Sequence, residues 1–193
     1  MAFSDDNAPE EELIRRAKQG DQRAFGQLVE RYQDQVYTLA CRTLGQKDRA
    51  EDVAQEAFIR SWRAISGFRG QSKFSSWLYR ITLNSCFSEL RRQRRSSENI
   101  TEEELEFLKI PNPTNSNFVS NLEKHDLVEK LLKRLPPVYR SIVILHYLQG
   151  LDCQEISQVT DRPVGTVKAY LHRARAHLRD SAVQLLKTRD PNR

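Results

Sequence analysis

The chain has 193 residues, 30% of them charged, with a formal net charge of +5. That length suits one ordinary domain or two small ones, and the basic balance fits an anionic partner without specifying it. No apolar run reaches the roughly 20 residues needed to cross a bilayer, and the acidic start MAFSDDNAPEEE does not read as a signal peptide, so the expected location is the cytoplasm.

Three cysteines, Cys41, Cys86 and Cys153, lie far apart with no CxxC and no neighbouring histidine. The spacing argues for buried free thiols rather than a disulfide framework or a zinc site, and no metal or cofactor is expected.

In chain order the pattern is helical, and no alternating strand signal occurs. A helix over 10–18 stops at Gly20. Asp21 is placed to cap a second helix over 22–44, in which Phe25, Leu28, Val29, Tyr32, Val36, Leu39 and Ala40 recur at three-and-four spacing before Gly45. Asp48 with Glu51 reads as a capping box for a helix to about 65, with Ala50, Val53, Ala54, Ala57, Phe58, Trp62 and Ile65 on its apolar face. The stretch FRGQSKFSSWLYR, residues 68–80, interleaves aromatics with Arg, Lys, Ser and Gly, an odd mixture for a core or a linker. Ser75 or Ser76 is expected to cap the next helix, from Trp77 to the basic run RRQRR at 91–95.

Periodicity then stops. Residues 96–119 carry five Glu before position 108 with no Lys or Arg among them, followed by Pro, Asn and Ser, which reads as a linker. Ser120 with Glu123 is expected to cap a helix through Leu122, Val128, Leu131, Leu132 and Leu135. Pro137 suits the first turn of a helix ending at Gly150. Asp152 with Glu155 caps a short helix to Val159. A tight turn, TDR, leads to a last helix from Pro163 to about Lys187. The expected fold is therefore all-α, with two small helical domains at 10–95 and 120–188 joined by a flexible linker at 96–119.

Two helices joined by three or four residues, the second rich in Lys and Arg, form the helix-turn-helix plan. Val164, Val167, Leu171, Ala174 and Leu178 recur at three, four, three and four residues and fix one buried stripe. That leaves Thr166, Lys168, Ala169, His172 and Arg173 to reach base edges in a major groove, and Arg162, Arg175 and Arg179 to meet phosphates.

The segments AFGQLVERYQDQVYTLACRTLG, DRAEDVAQEAFIRSWRAISGFRG and FSSWLYRITLN resemble region two of bacterial sigma factors of the extracytoplasmic-function group, the small initiation factors of RNA polymerase. LPPVYRSIVILHYLQGLDCQEIS and PVGTVKAYLHRARAHL resemble their region four. The resemblance covers about residues 12–180, and the order and spacing of the segments are its most specific feature.

This resemblance assigns roles to the open faces. It implies that Asp48, Asp52, Gln55, Glu56 and Ile59 dock the clamp of the largest polymerase subunit, and that the second domain meets the flap of the second-largest. It further implies that residues 68–77 and Asn84 capture a base turned out of the non-template strand at the minus-ten element of promoter DNA. The chemistry suits that role, because a flipped base needs a stacking wall, hydrogen-bond partners and cations for adjoining phosphates. Phe68, Arg69, Lys73, Phe74, Ser76, Trp77, Tyr79, Arg80 and Asn84 are the candidates. Phe74 and Trp77 each read either as stacking surface or as core. Region four would bind the minus-thirty-five duplex, and an inhibitory anti-sigma factor is implied as a further partner.

Lys73 stands where the family often has a small residue, His172 where members differ and Cys153 where an aromatic is common, so no promoter sequence carries over. No P-loop, paired carboxylates or nucleophile–base set suggests an enzyme or a small-molecule substrate. The alternative reading is a stand-alone helix-turn-helix regulator, which has little use for the aromatic–basic stretch.

Overall fold

The computed structural model describes residues 8–94 and 125–189. The linker reading of 96–119 and the Ser120–Glu123 capping box lie outside the described residues. Helices α1 (Glu10–Lys18), α2 (Gln22–Leu44), α3 (Lys47–Ala64) and α4 (Phe74–Arg94) form the first unit, with a 3-10 turn at Ile65–Gly67. The second unit comprises α5 (His125–Lys133), α6 (Pro137–Val143), which continues as a π-helical turn over Ile144–Leu148, α7 (Cys153–Thr160) and α8 (Val164–Arg189). Among the described residues there is no strand. The chain is all-α, as the periodicity predicts.

Local chemistry explains most boundaries. Asp21 caps α2 by accepting from the backbone N–H groups of Arg23 at 2.9 Å and Ala24 at 3.2 Å. Gly45 closes that helix in the left-handed region at φ 73°, its N–H bonded to the Cys41 carbonyl. Asp152 and Glu155 form the predicted reciprocal capping box of α7. Two expected caps are corrected. The third helix starts one residue before Asp48, behind Gln46, without a side-chain cap, so Asp48 lies in its first turn. The fourth begins at Phe74, and Ser75 and Ser76 are buried within its opening turn. Phe74 earns that earlier start by burial: its ring packs against Tyr32, Phe68 and Trp77. Of the three thiols only Cys86 is fully buried; Cys41 and Cys153 are half-exposed.

The first unit has its own core, built from Leu13, Phe25, Leu28, Val36, Phe68, Phe74, Trp77 and Leu78 with their neighbours. The second core is not confined to the second unit. Leu39 of α2 and Tyr79, Leu83 and Phe87 of α4 pack in one cluster with Leu132, Val138, Tyr139, Ile142, Leu145, Ile156, Val167 and Leu171. The two units therefore share apolar surface along α2 and α4. At about 25 cal/mol per Å² of apolar area removed from water, such a seam is a real source of cohesion.

Polar contacts follow the seam. Arg42 and Glu129 pair at 2.8 Å, and Lys73 and Glu155 at 3.3 Å. Arg140 is buried and spends its guanidinium on four carbonyls. Three, those of Leu132, Lys133 and Leu135, belong to the end of α5 and the residues after it, and the fourth is that of Thr43 in α2. A helix C-terminus leaves carbonyls without intrahelical donors, and Arg140 supplies donors for two such ends at once.

Candidate nucleic-acid interface

The loop after Gly67 is shaped by its surroundings. Gly70 takes φ 66°, a conformation that a side chain would strain. Lys18 of α1 donates from Nζ to the Phe68 carbonyl at 2.8 Å and fixes the root of the loop. Lys18 was not legible in the sequence, since nothing local marks a contact 50 residues away. Phe68 meets Phe74 edge-on at 5.9 Å and Trp77 at 5.4 Å between ring centroids, so these three rings form one buried block.

Around that block the structure opens a cavity of about 440 Å³, lined by Gly67, Phe68, Arg69, Gly70, Gln71, Ser72, Trp77, Arg80, Gln158 and Asp161. Of the sequence candidates it brings together Phe68, Arg69, Trp77 and Arg80. Lys73 is exposed on the loop and Asn84 is half-exposed one turn beyond Arg80. Phe74, Ser76 and Tyr79 reach no surface: Phe74 belongs to the first core, and Tyr79 is wholly buried in the shared one. This resolves the alternative for Phe74 in favour of core. Trp77 is almost wholly buried yet still lines the cavity. Gln71 and Ser72, in the quoted stretch but not singled out, line it too.

Arg80 is the buried charged group among those lining this site, since Arg69 and Asp161 are exposed. It is 94% buried, since only 6% of its surface is exposed. Its Nε has no hydrogen-bond partner among the described residues. Burial pushes its guanidinium down to about 10, and the Asp161 charge opposes that shift. It remains a cation near neutrality, held at the wall of a cavity with an unused donor.

On α3, Asp48, Asp52, Gln55 and Ile59 are exposed on one stripe, and Ile59 is 46% exposed despite its apolar side chain. Glu56 lies beside them, paired with Arg60 at 2.6 Å. On α8, Val167, Leu171 and Ala174 are buried as the spacing predicts; Val164 and Leu178 are half-buried. Tyr170, not in that stripe, is buried against Tyr139 at 5.5 Å. Lys168, Ala169, His172, Arg173 and Arg175 are exposed, with Arg162 and Thr166 half-exposed at the start of the helix. Arg175 is oriented by Tyr147, donating to its hydroxyl at 2.7 Å and lying 5.8 Å from its ring centroid. Tyr147 is a contributor that the sequence reading missed; its signal was an aromatic one turn from a predicted helix end.

The two units coincide with two family models, sigma-70 region 2 over residues 28–96 and sigma-70 region 4 over residues 125–178. The chain belongs to the sigma-70 family. It is 36% identical over 86% of its length to the ECF RNA polymerase sigma factor SigW of Bacillus subtilis, 92% of which is covered. Among solved structures it is similar to CnrH in complex with the cytosolic domain of CnrY, with TM-score 0.61, 29% identity, and 89% of this chain and 94% of that one covered. The sigma factor RpoE of Bartonella quintana, solved with the anti-sigma factor NepR, has the same fold, with TM-score 0.63 and 22% identity over 81% of this chain and 94% of that one. The chain is thus a sigma factor of the extracytoplasmic-function kind, a transcription initiation factor rather than a stand-alone regulator. None of its described helices is long and apolar enough to cross a membrane.

Proposed function

We propose that residues 10–95 dock on core RNA polymerase and hold the melted minus-ten strand, while residues 120–188 read the minus-thirty-five duplex. The division follows the chemistry of the two faces. A cavity with aromatic walls, amides, hydroxyls and two arginines suits an unstacked base and its phosphates, whereas a helix presenting Lys168, Ala169, His172 and Arg173 suits an intact major groove. The observation that carries the reading is Arg80, a buried cation with an unused donor beside Phe68 and Trp77.

In this reading the α3 stripe of Asp48, Asp52, Gln55, Glu56 and Ile59 meets the polymerase clamp, and the flap meets the second unit. Exposed Ile59 supplies the apolar centre and the carboxylates the charge, a combination suited to a basic partner helix. The chain performs no chemistry of its own, since nucleotide addition belongs to the polymerase. It acts in the cytoplasm, and an anti-sigma factor holds it inactive. Run-off transcription with sigma-free core enzyme over a promoter library tests the proposal: specific transcripts are expected, with permanganate-reactive thymines at their minus-ten elements. Absence of any specific start overturns it.

A further inference from the structure

A second cavity, of about 450 Å³, opens where α2, α3 and α5 meet. Tyr37, Cys41 and Arg42 line it from one face of α2, Lys47 from the first residue of α3, and Glu129 and Lys133 from α5. Three cations thus face one carboxylate, and that carboxylate is already engaged, because Glu129 accepts from Arg42 Nε at 2.8 Å. Lys47 and Lys133 are exposed and have no ion-pair partner among the described residues. Lys133 reaches the cavity by laying its stem over Gly45, where its Cγ would stand 3.8 Å from a β-carbon. Like charges gathered on one wall favour an anion between them. The roles given above to the chain's other surfaces leave these lysines unused.

Two further features bear on what the anion is. The N-terminus of α3, at Lys47, has no side-chain cap, so the positive end of the helix adds to the field on that side. Across the cavity, Tyr37 presents a half-buried ring whose hydroxyl is hydrogen-bonded to the Cys41 thiol; Asp48 and Glu51 lie near that hydroxyl but do not line the walls. A planar wall opposite a cationic one suits a molecule with an aromatic end and a phosphorylated end. A single phosphate, at about −1.5 to −2 near neutrality, would use only part of the cation set. The volume lies within the range of about 300–1,000 Å³ typical of small-molecule sites.

We propose that this cavity binds a nucleoside diphosphate, its phosphates held by Lys47, Lys133 and Arg42 and its base laid against the ring of Tyr37. The inference does not rest on the strand-capture or duplex-reading roles. Lys47 belongs to the first unit and Lys133 to the second, so the bound molecule ties the two together beside the Arg42–Glu129 pair. The level of a small metabolite thereby sets the cohesion of the seam.

The test titrates ADP into the full-length chain by calorimetry, in magnesium-free buffer at about 0.15 M salt, with inorganic pyrophosphate and adenosine as parallel arms. Saturable binding of one ADP per chain is expected, with pyrophosphate weaker and adenosine weaker still. The double variant Lys47→Gln, Lys133→Gln should bind ADP at least about tenfold more weakly, as loss of two charged donors to phosphate implies. Its own melting temperature should stay within about 2 °C of the parent's, since both side chains are exposed. A hundredfold excess of ADP over its Kd should raise the parent's melting temperature by roughly 5 °C. Because the DNA-facing surfaces are also cationic, a control carries Arg69→Gln and Lys168→Gln, and its ADP affinity should change by less than about twofold. The site is overturned if the parent shows no saturable ADP binding, or if the control loses as much affinity as the Lys47, Lys133 variant. Adenosine binding as tightly as ADP would remove the phosphates from the recognition, and pyrophosphate binding as tightly would remove the base; either overturns a nucleoside diphosphate as the ligand.

Discussion

Arg140 donates from Nη1 to the Thr43 carbonyl at 3.1 Å, joining the second unit to the end of α2 in the first. Gly45 makes that approach possible, because a β-carbon there would lie 3.1 Å from the same nitrogen. A buried guanidinium is costly unless each donor is used, and burial accordingly lowers its affinity for the proton. Arg140→Met would leave up to four carbonyls without this donor. A loss of about 2–4 kcal/mol is expected, read as a lowered denaturant midpoint. A midpoint unchanged from the parent would show that the carbonyls are satisfied otherwise.

The α3 stripe gives a contrasting case, because its members are exposed and make few internal contacts. Replacing Asp52 and Gln55 with Arg and Ala should leave the melting temperature near that of the parent, since exposed substitutions usually stay within about 0.5 kcal/mol. Affinity for core polymerase should fall at least about tenfold through the reversed charge. Competition against a labelled parent chain checks this. Equal affinity would place the clamp contact elsewhere.

Much of this was legible in the sequence. Helix periodicity and the Asp21, Gly45 and Asp152 punctuation are local signals, and the helices they bound are present. The stripe on the recognition helix was readable for the same reason. The α4 start was misplaced because packing overrode capping: Phe74 gains more from joining Tyr32 and Trp77 than a Ser75 cap would contribute. The α3 helix opens one residue before Asp48, at exposed Lys47, and no contact among the described residues explains that shift. Tyr79 could be taken for a base-stacking ring because a one-dimensional pattern cannot show that the second unit covers it. Lys18, Gln158 and Asp161 were missed for the same reason, as each enters the site from a distant part of the chain.

On the recognition helix, Arg173→Ala should cost about 1–3 kcal/mol of duplex binding at the cognate site. Tyr147 offers a finer test. Its hydroxyl accepts from Arg175 at 2.7 Å, so Tyr147→Phe should free the guanidinium while keeping the ring beneath it. If Arg175 meets a phosphate, as the sequence reading expects, the change is a modest, sequence-independent weakening. Removal of Arg175 itself should lower the salt dependence by about one unit of slope. Gel-shift titrations at several salt concentrations measure both, and an Arg175→Ala slope equal to the parent's would remove it from the phosphate contacts.

For the melted strand, Trp77→Ala is a poor probe because it would also hollow the first core, at about 3–5 kcal/mol for a large buried ring. Arg69 is exposed on the loop and Asn84 is half-exposed, so Arg69→Ala and Asn84→Ala separate function from folding. Both should retain polymerase affinity and duplex binding while reducing permanganate reactivity at the minus-ten element several-fold. Unchanged melting by both variants would exclude this face from strand capture.

Alkaline pH gives a prediction about stability alone. The Tyr32 hydroxyl donates to the Glu10 carboxylate, tying α1 to α2, and burial first, then that bond, raise its pKa to about 12. A pKa raised by folding means that the folded chain holds the proton more tightly. The contribution is therefore complete below about pH 10, the ordinary tyrosine value, and is lost as pH climbs from there to about 12. Tyr79 shifts in the same direction, mainly through burial, and adds to the fall. Tyr32→Phe removes the Tyr32 titration and leaves those of Tyr79, Tyr37, Cys41 and Cys86, which burial also raises. Its melting temperature should start lower than the parent's at neutral pH and decline less steeply above pH 10, with lysine deprotonation common to both. Thermal melts across that range decide the matter: parallel declines would mean that the Tyr32 proton is held no more tightly in the folded chain than in the unfolded one.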